Sequence, residues 1–260
     1  RFIAQTLESV LAQTYPHFEV IITDDHSMDG TVATIKHFSD PRIKLIQNAS
    51  NLGMIGNFNY VLSQAAGKYV KLLCGDDVIY PDCLRRQLEA LEDPLNSQVV
   101  LAVCASDVIN ARSEVVLRRR SRFGTGRIAG TRLIRNCVRW GTNFIGEPGA
   151  GLFRKSVADG PSPFDSSNPY LIDMDLWVQL LKRGDAFIDK TPLAGFRIST
   201  TSVSKKLGFK QASYFRRFAR KIHTSRNYGV TWLDVLAGYF LSFQWCLLRN
   251  WFINSQARKK

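Results

Sequence analysis

Two apolar segments in the N-terminal half of the chain each end in a pair of adjacent aspartates. The first pair, Asp24 and Asp25, closes the run FEVIITDD, and the second, Asp76 and Asp77, closes the run KYVKLLCGDD. Stretches with the spacing of amphipathic helices follow both runs, and short turns separate the segments. This alternation of strand and helix predicts an α/β fold with a mostly parallel central sheet flanked by helices. Ligands of such sheets bind beyond the carboxyl ends of the strands, where both acid pairs are predicted to lie.

The charge of these four carboxylates indicates what they bind. Adjacent carboxylates repel each other, so such pairs are favoured where a cation or hydrogen-bond donors offset the repulsion. A hard divalent ion such as Mg²⁺ or Mn²⁺ prefers oxygen ligands and shares them with a diphosphate. A turn or a helix cap is the alternative interpretation of a single pair. Two pairs at strand ends of one sheet favour a metal and a phosphorylated ligand.

Three blocks of the sequence resemble those of inverting family 2 glycosyltransferases, and they occur in the family's order. The first is TDDHSMDGT, which is similar to the family's strand-end signature. The second is NLGMIGNFNYVLSQAAGKYVKLLCGDDVIYPD, with an Asn-x-Gly turn and an Asp-x-Asp region, and the third is IDMDLWVQLLKRG, which resembles a Glu-Asp-x-Asp-Leu-Trp helix. The resemblance covers about residues 1–204. It implies a Rossmann-like GT-A fold and inverting transfer of a sugar from a nucleotide diphosphate donor to a hydroxyl of a glycan or lipid-linked acceptor.

The resemblance also implies roles for individual side chains. Asp25, with Asp24 beside it, would contact the nucleotide base, and Asp76 would lie near the ribose or the sugar diphosphate. Asp77 would ligate Mg²⁺ or Mn²⁺, and Asp173 would be the general base that takes the proton of the acceptor hydroxyl. The alternative interpretation of Asp173 is an acid at a helix N-terminus, where it interacts favourably with the helix dipole.

Other positions near these blocks matter to the assignment. Arg197 stands where the family often has a basic residue after the last core strand, which implies a contact with the diphosphate; a surface arginine is the alternative. Cys74 replaces the first acid of the family's Asp-x-Asp-Asp run, Ile172 stands where a Glu often precedes the base, and Ser199 stands where a His is common. The metal is therefore predicted to have carboxylate ligands and no histidine.

The beginning of the chain departs from the family most. An apolar strand normally precedes the helix that begins here at Phe2, and this sequence opens without it. The expectation is a catalytic domain over residues 1–204 that lacks its first strand. A sheet with this gap would leave backbone groups unpaired and reduce solubility.

Most of the net charge of +13 comes from two segments. Residues 112–139 carry nine basic side chains and one acidic one, and residues 205–260 carry twelve and one. The first segment is also poor in apolar runs, which favours an excursion from the sheet. A basic segment can face anionic lipid, nucleic acid or an anionic substrate, and a solvated surface is the alternative interpretation.

Residues 205–260 are predicted to form a helical appendage of basic amphipathic and apolar character. The stretch 211–226 has one aromatic and aliphatic face, and the stretch 230–248 is mostly apolar. This pattern predicts peripheral attachment to the cytoplasmic face of the cell membrane, with two soluble helices packed on the domain as the alternative. Five scattered cysteines without a C-x-x-C pair are typical of a reducing cytosol. No nucleic-acid-binding module is recognisable, so nucleic acid is not a predicted partner.

Two other functions stay open at this point. A metal-dependent nucleotidyltransferase would use the same sheet edge but attack at phosphorus. A non-catalytic scaffold that binds nucleotide sugars is consistent with the departures at Cys74 and Ile172. The helix that carries Asp173 favours sugar transfer over the nucleotidyltransferase, and replacing Asp173 by Asn would separate the catalytic interpretations from the scaffold.

Overall fold

The computed structural model describes residues 2–119, 121–158, 164, 168, 170–198 and 207–257. The helices in these residues are α1 (Ile3–Leu11), α2 (Thr31–Lys36), α3 (Gly53–Gln64), α4 (Cys83–Glu92), α5 (Gly130–Trp140), α6 (Ile172–Leu181), α7 (Lys210–Ser225) and α8 (Trp232–Ala257). The strands are β1 (Val20–Asp24), β2 (Ile43–Gln47), β3 (Tyr69–Val70), β4 (Val78–Ile79), β5 (Val99–Ile109), β6 (Val115–Arg118), β7 (Gly126–Ile128), β8 (Gly151–Arg154) and β9 (Asp185–Arg197).

The central strand of the molecule is β5, which coincides with the predicted run VVLAVCASDVI. All of its residues are buried, as expected for a continuous apolar strand that is covered on both faces. Helix α6 packs against the sheet through Trp177, whose ring contacts that of Phe153 on β8 edge to face at 6.3 Å. This packed centre holds the strand ends and the first turn of α6 in place.

The strands form two separate sheets. A two-stranded parallel sheet contains β1 and β2, with Val20 opposite Ile43 and Asp24 opposite Gln47. A seven-stranded sheet has the order β3-β8-β5-β9-β4, with β6 paired to β5 and β7 paired to β9. Helices flank these sheets, so the predicted α/β class is confirmed.

The direction of the strands corrects one detail of the prediction. Within the seven-stranded sheet only β5 and β9 pair in parallel, whereas the other described pairs are antiparallel. The pairing is therefore mixed rather than mostly parallel. A hairpin such as β5–β6 reverses the chain within a few residues, while a parallel pair needs a long crossover. Segment 112–139, expected to be an excursion, supplies β6, β7 and α5.

The run KYVKLLCGDD, predicted as one strand, pairs at only two positions. Tyr69–Val70 pairs with β8, and residues 71–74 have no ladder partner. A cavity of about 1360 Å³ lies between this run and β1, and apolar side chains such as Leu7, Ile22 and Leu72 line it. A strand exists only where a neighbour completes its hydrogen bonds. The two sheets are therefore separate along this run.

Helices α7 and α8 lie against the domain. The predicted apolar face of α7 is buried through Phe215, Phe218 and Ile222. In the described part of the chain, no helix combines the length and apolar character that crossing a bilayer requires. Residues 199–206, which include Ser199, lie outside the described residues, so the division of the chain at residue 204 stays a prediction.

Candidate active site

The first acid pair lies at the end of β1, and its two carboxylates have different surroundings. Asp24 is buried, and its Oδ2 accepts a hydrogen bond from the Ser27 backbone N–H at 3.0 Å, which closes the turn after the strand. Asp25 Oδ1 accepts from the Leu52 N–H at 2.7 Å and from Asn48 Nδ2 at 3.1 Å. Among the described residues, its Oδ2 has no hydrogen-bond donor. Asp25 can therefore accept from a ligand, whereas Asp24 shapes the turn.

The Asn-x-Gly turn of the second sequence block holds Asp25 in place. Asn51 Nδ2 donates to the Asp25 carbonyl at 3.0 Å, and Asn51 Oδ1 accepts from the Gly53 N–H. Gly53 has a φ of +72°, a conformation that glycine adopts without strain. Asn48 also donates to Asn57 Oδ1 at 2.9 Å. Sequence reasoning missed Asn48 and Asn57, because each is one polar residue among many until the fold brings them to Asp25.

The second acid pair belongs to a cluster that could hold a metal ion. The ligand atoms of Cys74, Asp76 and Asp77 lie within 4.8 Å of one another. Burial raises the pKa of Asp77 well above its ordinary value, and the neighbouring charge of Asp76 adds to the rise. Burial also raises the pKa of Asp76. A divalent cation would offset both effects, so the two carboxylates fit a hard metal.

Cys74 is a weak third ligand for such an ion. Burial raises the pKa of its thiol well above the ordinary value, and the charges of Asp77, Asp76, Asp173 and Glu147 raise it further. A neutral thiol binds metals poorly, and Mg²⁺ prefers oxygen in any case. The charges of all four acids therefore act on this one side chain.

Arg197 is almost completely buried, with 2% of its surface exposed. Its guanidinium donates to the Asp76 carbonyl at 2.7 Å, to the Asn110 carbonyl at 2.7 Å and to Gln5 Oε1 at 3.0 Å. Its backbone N–H donates to Asp77 Oδ1 at 2.8 Å. These bonds fix the position of the acid pair. A contact between Arg197 and a diphosphate stays a prediction, and it would require some of these bonds to be exchanged.

Asp173 lies in the first turn of α6 and points toward the loop after α5. Its Oδ2 accepts from Asn143 Nδ2 at 2.8 Å, and its Oδ1 accepts from the Met174 N–H at 2.8 Å. Burial raises the pKa of Asp173 to about 7, and the charge of Glu147 contributes to the rise. A carboxylate with this pKa can accept a proton near neutral pH.

Glu147 is a site residue that sequence reasoning did not single out. Its carboxylate accepts from Ser106 Oγ at 3.0 Å and forms an ion pair with Arg119. Trp177 Nε1 donates to the Gly146 carbonyl at 2.9 Å and so holds the loop beside it. The sequence signal was present, since an acid stands between Gly146 and Pro148 in the glycine-rich run GEPGAG.

The predicted site residues therefore fall into two connected groups. Asp76 and Asp77 lie near Asp173 and Glu147 around Cys74. Asp24 and Asp25 line the same large cavity as Asp76 and Asp77. A ligand that spans this cavity can reach both acid pairs.

The sequence and the fold were compared with those of known proteins. Residues 1–160 match the family model described as Glycosyl transferase family 2. The chain is 31% identical over 181 residues to UDP-Glc:alpha-D-GlcNAc-diphosphoundecaprenol beta-1,3-glucosyltransferase WfgD of Escherichia coli, which covers 69% of this chain and 64% of that protein. It spans 37%, 58% and 64% of the length of three curated relatives, which are therefore longer proteins.

Solved structures share the fold at low sequence identity. A fragment of S. aureus TarS in complex with UDP-GlcNAc matches with a TM-score of 0.65 and 16% identity, over 86% of this chain and 62% of that one. Mannosyltransferase PcManGT from Pyrobaculum calidifontis, in complex with GDP-Man and Mn²⁺, matches with a TM-score of 0.64 and 18% identity, over 99% and 71%. The predicted GT-A fold is confirmed.

Proposed function

Because the chain belongs to glycosyl transferase family 2, we propose that it transfers a sugar from a nucleotide diphosphate donor to a hydroxyl of a glycan or lipid-linked acceptor. The observation that carries the proposal is the placement of Asp173, which has a pKa of about 7, where its charge acts on the thiol of Cys74 in the cluster of Cys74, Asp76 and Asp77. The names of the similar proteins support it, since they bind UDP-GlcNAc or GDP-Man or act on a diphosphoundecaprenol-linked sugar.

The arrangement suits direct displacement at the anomeric carbon. Asp173 takes the proton of the acceptor hydroxyl as that oxygen attacks, and the diphosphate leaves from the opposite face of the sugar. Direct attack without a covalent sugar–enzyme step inverts the anomeric configuration. Asp76 and Asp77 would hold Mg²⁺ or Mn²⁺, which when bound neutralises charge on the departing diphosphate. Asp25, whose Oδ2 accepts no hydrogen bond from the part of the chain that the structure describes, would accept from the nucleotide base, and Asp24 would support it.

The proposal is tested by the thermal stability of the full chain with donors and metal. We expect UDP-GlcNAc, UDP-glucose or GDP-mannose together with Mn²⁺ to raise Tm by about 5 °C, because a ligand at one hundred times its Kd adds about 2.7 kcal/mol. Either component alone should give a smaller shift. Asp77→Asn should remove the part that depends on metal, whereas Glu114→Gln, at an exposed acid paired with Arg112, should not. A shift that is identical with and without Mn²⁺ would contradict the metal.

We also propose that the protein acts at a membrane surface, to which it binds through the exposed side of α8. We define the α8 apolar face as the exposed hydrophobic residues of that helix: Trp232, Leu233, Leu236, Phe240, Phe243, Leu247, Leu248 and Trp251. Cations border it, since Arg220 donates to Tyr239 Oη at 2.7 Å and Arg216 lies over the same ring. An apolar face with aromatic residues and bordering cations is typical of helices that lie in the interface of an anionic bilayer. The five free cysteines are consistent with a position on the cytoplasmic side of this bilayer.

Co-sedimentation with vesicles of phosphatidylcholine and phosphatidylglycerol tests this surface. Replacing both Leu236 and Phe240 by Ser should weaken vesicle binding at least tenfold, because burying each of these side chains contributes roughly 1.5–3 kcal/mol. Leu95→Ser is the matched control, since Leu95 is 84% exposed but lies between α4 and β5. Equal binding by the double variant and the wild type would refute the role of the α8 apolar face.

A further inference from the structure

A cationic pair, Arg119 and Arg122, contacts the loop that carries Asn143 and Glu147. Arg119 follows β6, pairs with Glu147 and lies over the Phe196 ring at 5.2 Å. Three residues later the Arg122 guanidinium lies over the rings of Trp140 and Phe144, at 4.3 Å and 5.1 Å from their centroids. These two side chains are thus held against this loop and the end of α5.

Arg122 differs from the other arginines of segment 112–139 that have acidic partners. Arg112, Arg119 and Arg127 form ion pairs with Glu114, Glu147 and Asp185, and both Arg135 and Arg139 pair with Asp234. Within the described residues, Arg122 has neither an acidic partner nor a hydrogen-bond acceptor, and its contacts are the two rings. A guanidinium that stacks through its face keeps its N–H groups at its edge, where they can bind a phosphate with two parallel hydrogen bonds.

The stacked group lies next to the proposed general base. Phe144 directly follows Asn143, whose Nδ2 donates to Asp173 Oδ2 at 2.8 Å. Trp140 is 36% exposed, so its ring offers a surface as well as packing. The two acid pairs would bind the donor. Arg122 and its two aromatic rings lie on the side of Asp173 that faces the loop after α5.

We propose that Arg122, Trp140 and Phe144 form a subsite for the acceptor, and that the acceptor carries a phosphate or diphosphate. Arg122 binds the phosphate, and the aromatic rings contact the apolar face of the acceptor sugar. The acceptor hydroxyl then points toward Asp173. This inference rests on the proposed function and adds to it the chemical class of the acceptor.

Binding of two soluble probes to the full chain tests the subsite without turnover. The probes are N-acetylglucosamine diphosphate with a short alkyl chain and the neutral alkyl N-acetylglucosaminide, titrated by calorimetry. Arg122→Gln should weaken binding of the diphosphate probe by roughly ten- to a hundredfold, since a charge-assisted pair is lost. It should change binding of the neutral probe less than twofold. Arg122→Lys, which keeps the charge but not the planar fork, should fall between Arg122→Gln and the wild type.

Arg132→Gln is the matched control, since Arg132 is exposed on α5 and makes the same change in net charge. Equal losses for both probes, a loss in donor affinity instead, or equal effects of the two Gln variants would each overturn the proposal. A loss confined to anionic vesicles, with unchanged probe binding, would assign Arg122 to lipid headgroups and overturn it too. If the wild type binds the diphosphate probe as expected but transfers no sugar, the proposed function fails while the anionic subsite stands.

Discussion

Asp173→Asn is expected to lower kcat for sugar transfer about 10³-fold while the Kd of the donor changes less than twofold. The amide has nearly the shape of the carboxyl group, so packing at the start of α6 is kept. It cannot accept the proton of the acceptor hydroxyl, so only the chemical step is lost. Single-turnover transfer with saturating donor, beside donor titration by calorimetry, measures the two quantities. An unchanged transfer rate would exclude Asp173 as the base, and donor binding without transfer in the wild type would favour the scaffold.

The pH dependence of the wild type supplies the control for this experiment. Burial raises the pKa of Asp173 to about 7, so the ionised fraction falls about tenfold for each pH unit below that value. The transfer rate should therefore rise with pH up to about 7 and then level off. Asn143→Ala removes a donor to the charged form and should move this midpoint upward. A rate that is flat between pH 5 and pH 8 would contradict the assignment.

The raised pKa of Asp173 also predicts the stability of Asp173→Asn, which shows whether an inactive variant has lost its chemistry or its fold. Asp173 holds its proton more tightly in the folded chain than in the unfolded chain, where the pKa is about 3.9. The stability that its neutral form contributes is fully present below about pH 4 and is lost as the pH rises through about 7. Asp173→Asn stays neutral at every pH, so at pH 8 it should unfold at a higher denaturant concentration than the wild type. If Asp173→Asn is inactive and also less stable than the wild type at pH 8, its loss of activity reflects damage to the fold.

The local pattern of apolar residues predicted those elements that are buried because their own residues are apolar. The run VVLAVCASDVI is mostly apolar, and β5 has those bounds. Asp25 and Asp77 could be found because paired acids at the end of an apolar run stand out in the sequence. Strand direction could not be predicted in this way, since β8 pairs antiparallel with β5 while β9 pairs parallel with it. That choice depends on where the chain re-enters the sheet, which hydrophobic spacing does not encode.

Partners that are distant in sequence explain the rest of what was missed. Arg197 was predicted to face a diphosphate, yet its guanidinium reaches Gln5 and the Asp76 carbonyl. Glu147 stands in a glycine-rich run that gave no reason to place it near Asp173. Both facts follow from the packing of β9 and α6 against β5, which the sequence pattern does not specify residue by residue.

The contact between α5 and α8 depends on two glycines that allow their backbones to touch. Gly141 ends α5 with a φ of +67°, and a Cβ there would lie 2.4 Å from the Ser242 backbone nitrogen. A Cβ on Gly238, within α8, would lie 2.0 Å from the Val138 carbonyl oxygen. Trp245 Nε1 donates to the Trp140 carbonyl at 3.0 Å and continues the contact. No side chain rotates to relieve the clash at Gly238, because the atom it meets is backbone.

Gly238→Ala is therefore expected to lower the free energy of unfolding by about 3 kcal/mol, at the upper end for overpacking. The sign is informative, because alanine is favoured over glycine in a helix interior by about 1 kcal/mol and would stabilise an α8 that did not pack here. Denaturant unfolding followed by tryptophan fluorescence measures the change. Gly124→Ala is the control, since a Cβ at that position meets nothing within 4 Å, and its effect should stay within about 0.5 kcal/mol. If Gly238→Ala is as stable as the wild type or more so, α8 does not lie against α5, and the helix that carries the α8 apolar face is held differently.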